Sequence, residues 1–331
     1  MNAAQTGPGD AEVMLTGASG FVGSHVLAAL LAGGYRVRAL VRGPWDAPPG
    51  AVAVTGDLRE PGALVPALRG CRYLIHTAAL YSFAPRDRAA IAAVNIRGTS
   101  GILEAARTAG VERCIVTSSS AALAPASRSR PATEDDWASP DHHSWSYHSS
   151  KLSAERAALR AQIPVITVLP TAPIGSGDRR PTPTGKIIVD LLRGRMPATL
   201  GGGMNIVPVE DVAAAHLLAL ERGRPGERYI AGGVNLTLAE FWRLIARAAG
   251  RSERTYRLPY AIAVAAARVD AARIRITGGV PAVPLEGVRM GRLEMYSSSA
   301  KATDELGYAP SSASAAVERA VRWYRESGYA A

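Results

Sequence analysis

Thr16-Gly17-Ala18-Ser19-Gly20-Phe21-Val22-Gly23 follows a short apolar run, Glu12 to Thr16, and opens a stretch of helical periodicity from Phe21 to Ala32. Glycines at three-residue steps are what a strand needs to hand over to a helix with few side chains in the way. Gly17 turns the chain, Gly20 permits close approach to bare backbone, and Gly23 lets helix and strand pack tightly. Unpaired N–H groups at the start of such a helix attract anions. The pattern therefore predicts a dinucleotide pyrophosphate against Thr16, Gly17, Gly20, Phe21, Val22 and Gly23. A glycine triplet also fits an ordinary strand-to-helix turn, so the surrounding pattern has to decide.

That pattern is an alternation. Arg36 to Val41, Val52 to Val54, Tyr73 to His76, Cys114 to Ser118 and Val165 to Leu169 are further short β-branched runs. Between them lie helical stretches at Pro61 to Leu68, Ala89 to Ala109 and Trp145 to Ala161. Strands alternating with helices predict an α/β fold, a Rossmann-type doubly wound parallel sheet covered on both faces. Past Pro170 the rhythm loosens, with Thr182 to Gly185 and Gly201 to Gly203 as punctuation and Arg228 to Ile230 as a lone strand candidate. The expected organisation is a disordered tail at residues 1–10, a dinucleotide-binding domain at 11–170, and a smaller substrate lobe at 171–331 with segments returning to the first domain.

Composition narrows the class. The chain has 331 residues, 47% hydrophobic, enough for a large core, and no apolar run of membrane-spanning length or secretory start. Cys71 and Cys114 are the only cysteines, which speaks against a disulfide framework and for a reducing, cytoplasmic setting. The net charge of +10 comes from arginines spread along the sequence, not from one run, so it favours phosphorylated or carboxylated small molecules over nucleic acid. His76, His142, His143 and His148 lack cysteine or carboxylate companions at zinc-ligand spacing, so no metal is expected. Ser118 to Ser120 lack the Gly-x-Ser-x-Gly elbow of a hydrolase.

The second strand speaks to the choice of nicotinamide. An acidic residue near its end would hold ribose hydroxyls, but Arg42 stands there, with Arg38 or Arg36 behind it, which favours the 2′-phosphate of NADP over NAD. Asp57 and Leu58 are expected to border the adenine, and Ala78 and Ala79 to line the path of the cofactor backbone. Tyr147 and Lys151, at i and i+4, share one helical face, and the ammonium is expected to lower the basicity of the phenol. Ser119 lies beyond the fifth strand, where ligands of open α/β sheets sit, and is read as the group that orients a substrate carbonyl. Ser120 is the alternative.

With Asn95, Gly98-Thr99, Pro170 and Leu306-Gly307-Tyr308-x-Pro310 added, the chain resembles the extended short-chain dehydrogenases/reductases of the NAD-dependent epimerase/dehydratase superfamily. Tyr35 to Arg42 is similar to the dihydroflavonol reductase branch, and Pro181 to Ile188 with Asn205 to Glu221 resembles the hopanoid-associated sugar epimerases. The resemblance implies a Ser119/Tyr147/Lys151 triad, Lys151 on the nicotinamide ribose, Pro170 beside the cofactor, and dimerisation through a helix bundle. The resulting expectation is an NADP-dependent reductase of a small or lipid-linked carbonyl compound. The alternatives are a nucleotide-sugar epimerase or dehydratase, its diphosphate gripped by Arg179, Arg180, Lys186, Arg193 and Arg195, and a non-catalytic NADP sensor.

Overall fold

The computed structural model describes residues 11–82, 85–139, 146–196, 198–277 and 285–330. The tail at 1–10, Trp145, His142 and His143 lie outside them. The first half runs β1 (Glu12–Thr16), α1 (Phe21–Ala32), β2 (Arg36–Val41), β3 (Ala51–Thr55), α2 (Leu64–Leu68), β4 (Tyr73–His76), α3 (Arg88–Ile91), α4 (Thr99–Ala109), β5 (Arg113–Thr117), α5 (Ser146–Leu159) and β6 (Val165–Pro170). The second half runs β7 (Ala172–Ile174), α6 (Pro183–Leu192), β8 (Ala198–Thr199), β9 (Gly203–Pro208), α7 (Val209–Arg222), β10 (Arg228–Ala231), β11 (Val234–Thr237), α8 (Leu238–Ala248), β12 (Tyr256–Arg257), α9 (Tyr260–Thr277), α10 (Leu285–Met290), β13 (Glu294–Met295), α11 (Ala300–Leu306) and α12 (Ala313–Glu326).

Seven strands form one sheet in the order β10-β6-β5-β4-β1-β2-β3. Every pairing in it is parallel. The chain winds outward from β1 in one direction through β2 and β3, then returns to lay β4 on its other side, with Leu15 opposite both Ala39 and Ile75. At such a reversal the two connections leave in opposite directions and open a crevice at the carboxyl ends of the strands, which is where Gly17 lies. One face of the sheet is closed by α1 and α7 through Val26, Leu30, Val212 and Ala219, the other by α2 and α4 through Leu64, Leu68, Ile102 and Ala106.

The later segments build a second sheet, β11-β9-β13 with β7 on β9, packed by α6, α8 and α12 around Ile188, Phe241, Ile245 and Val317. Strand β10 leaves that region to become the edge of the main sheet, pairing Ile230 with Leu169. The two halves therefore share a hydrogen-bonded edge. Cys71 and Cys114 are free and buried, and burial pushes their thiols up to about 11 and about 12, so neither is a ready nucleophile.

The helix predicted over 89–109 is broken. α3 and α4 are joined by a wide π-helical stretch at Ala92–Gly98. The cause is Asn95: its side chain turns inward, accepting from Leu80 N at 2.7 Å and donating to Leu80 O at 3.0 Å and Ser150 Oγ at 3.1 Å. Three hydrogen bonds that reach beyond the helix, the one to Ser150 buried, outweigh the poorer geometry of one wide turn.

Candidate active site

The turn after β1 has the shape a phosphate needs. Gly17 has φ +78, in the left-handed region, and a Cβ there would stand 2.6 Å from Thr77 Oγ1 and 2.8 Å from Ala78 N. A Cβ on Gly23 would collide with the Gly17 carbonyl. Gly20 enters α1 extended, with no side-chain cap and no acidic group in the first turn, so the leading N–H groups of that helix point into the crevice without a protein partner of that kind. These residues fit a dinucleotide pyrophosphate. Thr16 departs from its expected role: it is 1% exposed, and its hydroxyl bonds His76 Nδ1 at 2.7 Å and accepts from Ala78 N at 3.2 Å. It locks β1 to the loop after β4 and presents nothing to the crevice.

At the adenosine end, Arg42 is exposed immediately beyond β2. Arg38 is a correction: its guanidinium is held by Glu12 Oε2 at 2.6 Å and by the Arg69 carbonyl at 2.7 Å, on the amino-terminal side of the sheet. Arg36 begins the same strand, about 16 Å of extended chain from its end, so neither backs Arg42 at a 2′-phosphate. A second cation is present instead. Arg59 pairs with Asp57 at 2.5 Å, and its hydrogen bond holds the Asp57 carboxyl down to about 2, with the charge of Arg42 contributing. Leu58 is buried in the core and packs against Gly98. Pro170 is the buried last residue of β6, opposite Ala231, and Ala78 and Ala79 line a small cavity with Asn95, Thr117 and Lys151.

The chain brings Ser119, Tyr147 and Lys151 together. Ser119 caps a short helical turn, accepting from Ala121 N at 3.1 Å, and its hydroxyl hydrogen-bonds the phenol of Tyr147. Ser120 opens the turn that Ser119 caps. Lys151 donates from Nζ to the Thr117 carbonyl at 2.7 Å. In this arrangement burial is the largest influence on both groups. Burial pushes Tyr147 up to about 12, with the Ser119 hydrogen bond opposing it, and burial pulls Lys151 down to about 8, with the Glu155 carboxylate opposing. The phenol therefore stands protonated at neutral pH.

Two buried histidines flank the amine, and their tautomers follow from their partners. His216 Nδ1 faces the Val212 carbonyl at 2.7 Å, which only accepts, so that nitrogen carries the proton and Nε2 accepts from Thr117 Oγ1 at 2.7 Å. Thr99 gives its proton to the Asn95 carbonyl at 2.7 Å and so accepts from His76 Nε2 at 3.0 Å. Burial, seconded by Lys151 for His76, pulls His76 down to about 3 and His216 to about 4. Both stay neutral, leaving Lys151 as the cation of the site.

Three features escaped the sequence reading. The ring of Tyr81 lies 4.2 Å from that of Tyr147 and is 41% exposed. His216 reaches the site from α7. Glu155, on the Tyr147/Lys151 face of α5 and fully buried, takes hydrogen bonds from Ser118 at 2.7 Å, Thr167 at 2.9 Å and Arg228 at 2.9 Å. The Arg228 guanidinium also covers the Trp137 ring at 3.4 Å. Spacing hinted at Glu155, at i+4 from Lys151. Arg228 left no local signal.

Two of the basic residues read as a diphosphate grip have protein partners. Lys186 pairs with Asp190 at 2.5 Å, and Arg193 donates to the Tyr329 carbonyl at 2.7 Å.

Geometry and sequence comparison now agree on the class. The chain belongs to the NAD dependent epimerase/dehydratase family, which it matches over residues 13–232, and it is an NAD(P)-dependent oxidoreductase. Among its relatives it is 38% identical to a putative dihydroflavonol 4-reductase of Synechocystis sp. over 95% of both chains. It is 32% identical to sterol demethylase protein B of Methylococcus capsulatus, over 95% of this chain and 98% of that one. The crystal structure of gox2253 superposes with a TM-score of 0.85 at 40% identity, covering 97% of this chain and 100% of that one. No helix among the described residues is long and apolar enough to cross a membrane.

Proposed function

We propose that the protein is an NADP-dependent reductase of a carbonyl group on an apolar, lipid-soluble or lipid-linked metabolite, with Ser119, Tyr147 and Lys151 at its centre. The observation that carries this reading is the hydrogen bond between the Ser119 hydroxyl and a Tyr147 phenol held protonated by burial. When bound against the Gly17 turn, the reduced nicotinamide dinucleotide supplies hydride. Tyr147 gives its proton to the substrate oxygen as charge gathers there, and Ser119, within reach of the same oxygen, orients it. Lys151, anchored on the Thr117 carbonyl, provides positive potential behind the phenol. Exposed Arg42, with Arg59 across Asp57, supports the phosphorylated dinucleotide. The names of two relatives, one for a flavonoid reductase and one for sterol demethylation, support an apolar cyclic substrate.

The sugar-epimerase alternative would draw on basic residues of which Lys186 pairs with Asp190 and Arg193 with the Tyr329 carbonyl. The test is NADPH consumption against a panel of cyclic ketones by the parent and by Tyr147→Phe. Turnover is expected to fall at least a hundredfold with NADPH affinity retained. Undiminished turnover in Tyr147→Phe removes the phenol from the mechanism, and oxidised cofactor retained through purification and unmoved by added NADPH favours the epimerase.

A further inference from the structure

Three of the large hydrophobic side chains exposed among the described residues sit on one helix: Ile262 at 55%, Val269 at 70% and Ile276 at 88% exposure, all on α9. With Ala265 and Ala272, both exposed or edge positions of the same helix, they repeat at alternating steps of three and four, which keeps them on one line along the outer surface. The opposite face is already used. Ala263 and Ala267 pack with Val288 of α10 and with Leu200, Leu258 and Leu285. A helix apolar on both faces ordinarily has both covered.

Charge says what covers the outer one. Arg268 and Arg275 follow one edge of the stripe and Arg273, shared with Asp270 at 2.7 Å, the other. In a helix pair joined along this line, the positions flanking the seam face one another, so a second copy would set arginine against arginine in either orientation. Residues 254–292 hold seven arginines against Asp270 and Glu286, a surplus equal to half of the chain's +10 in a small part of its length. Alanine at alternate stripe positions also leaves few knobs to lock a protein partner in register, which a lipid surface does not require. Tyr256, 73% exposed just before the helix, adds an amphipathic ring at one end.

We propose that α9 is an interfacial membrane-docking helix that lies in the plane of a bilayer bearing anionic headgroups. This inference is independent of the reaction assigned above. Its basis is the juxtaposition of an exposed Ile262/Val269/Ile276 stripe with arginines on both edges.

The experiment is sedimentation of the full chain with phosphatidylcholine vesicles, with and without phosphatidylglycerol. Binding is expected only with the anionic lipid, weakening as salt rises. Val269→Glu with Ile276→Glu is expected to weaken it at least tenfold, and Arg268→Glu with Arg275→Glu by about fivefold or more for each charge removed. Far-UV circular dichroism and NADPH binding serve as folding controls, since none of these side chains is buried. Failure to bind anionic vesicles, binding indifferent to the Val269/Ile276 pair, or a dimer that the same pair converts to monomer in size-exclusion chromatography each overturns the proposal, the last in favour of a second copy.

Discussion

Glu155→Gln tests the buried pairing beneath the site. The Glu155 side chain is fully buried and that of Arg228 is 6% exposed, 2.9 Å apart, with Ser118 and Thr167 donating to the same carboxylate. Glutamine keeps the shape but removes the charge and turns an NH2 toward groups that themselves donate. The guanidinium is then left buried without its counter-charge, a loss of about 3–5 kcal/mol. For a chain of this length that corresponds to a fall in Tm of roughly 4–7 °C, measured by calorimetry or circular dichroism. A second readout separates this from simple loosening. Glu155 holds up the pKa of Lys151, whose folded value is already pulled from 10.5 to about 8. Without the carboxylate, that value falls further, so the alkaline limb of the pH–rate profile moves to lower pH. Replacing the pair together, Glu155→Leu with Arg228→Met, is expected to recover much of the stability, because no buried charge remains. A Tm unchanged in Glu155→Gln, or a double variant no more stable than the single one, refutes the reasoning.

The remaining expectations are narrower. In the parent, turnover declines above about pH 8 as Lys151 loses its proton, and a profile flat through pH 10 removes the ammonium from the mechanism. Gly23→Ala drives a methyl into the Gly17 carbonyl and 2.8 Å from Thr77 Oγ1, a loss of about 1–3 kcal/mol with weakened dinucleotide binding, and normal Tm and affinity show that the turn is not as tight as drawn. Arg42→Glu, titrated with NADPH and NADH by intrinsic fluorescence, is expected to lose NADPH affinity at least tenfold while NADH binding changes little. Equal losses for both remove Arg42 from 2′-phosphate recognition.

Short-range order was legible and long-range partnership was not. The strand at Tyr73–His76 and the helix at Phe21–Ala32 stand where apolar runs and glycines place them, since those signals act between residues a few positions apart. Tyr147 and Lys151 were legible as one helical face for the same reason. What spacing did not give was the effect of burial on each group, because burial depends on everything packed around them. Arg38 looked like a phosphate ligand by proximity to Arg42, yet successive strand residues alternate faces and progress along the sheet, and Glu12 and the Arg69 carbonyl claim it. The break in the helix near Asn95 came from a loop fifteen residues away.

The sequence by itself determined a glycine turn at the head of an alternating parallel fold, with a serine, a tyrosine and a lysine beyond its strands, because local sterics and hydrophobic period are written residue by residue. Only the tertiary structure decided which charges are buried, that His76 and His216 stay neutral around Lys151, that Arg228 on the last sheet strand braces Glu155, and which face of α9 is left open to solvent. Those outcomes depend on dielectric and on partners brought together by folding from distant parts of the chain.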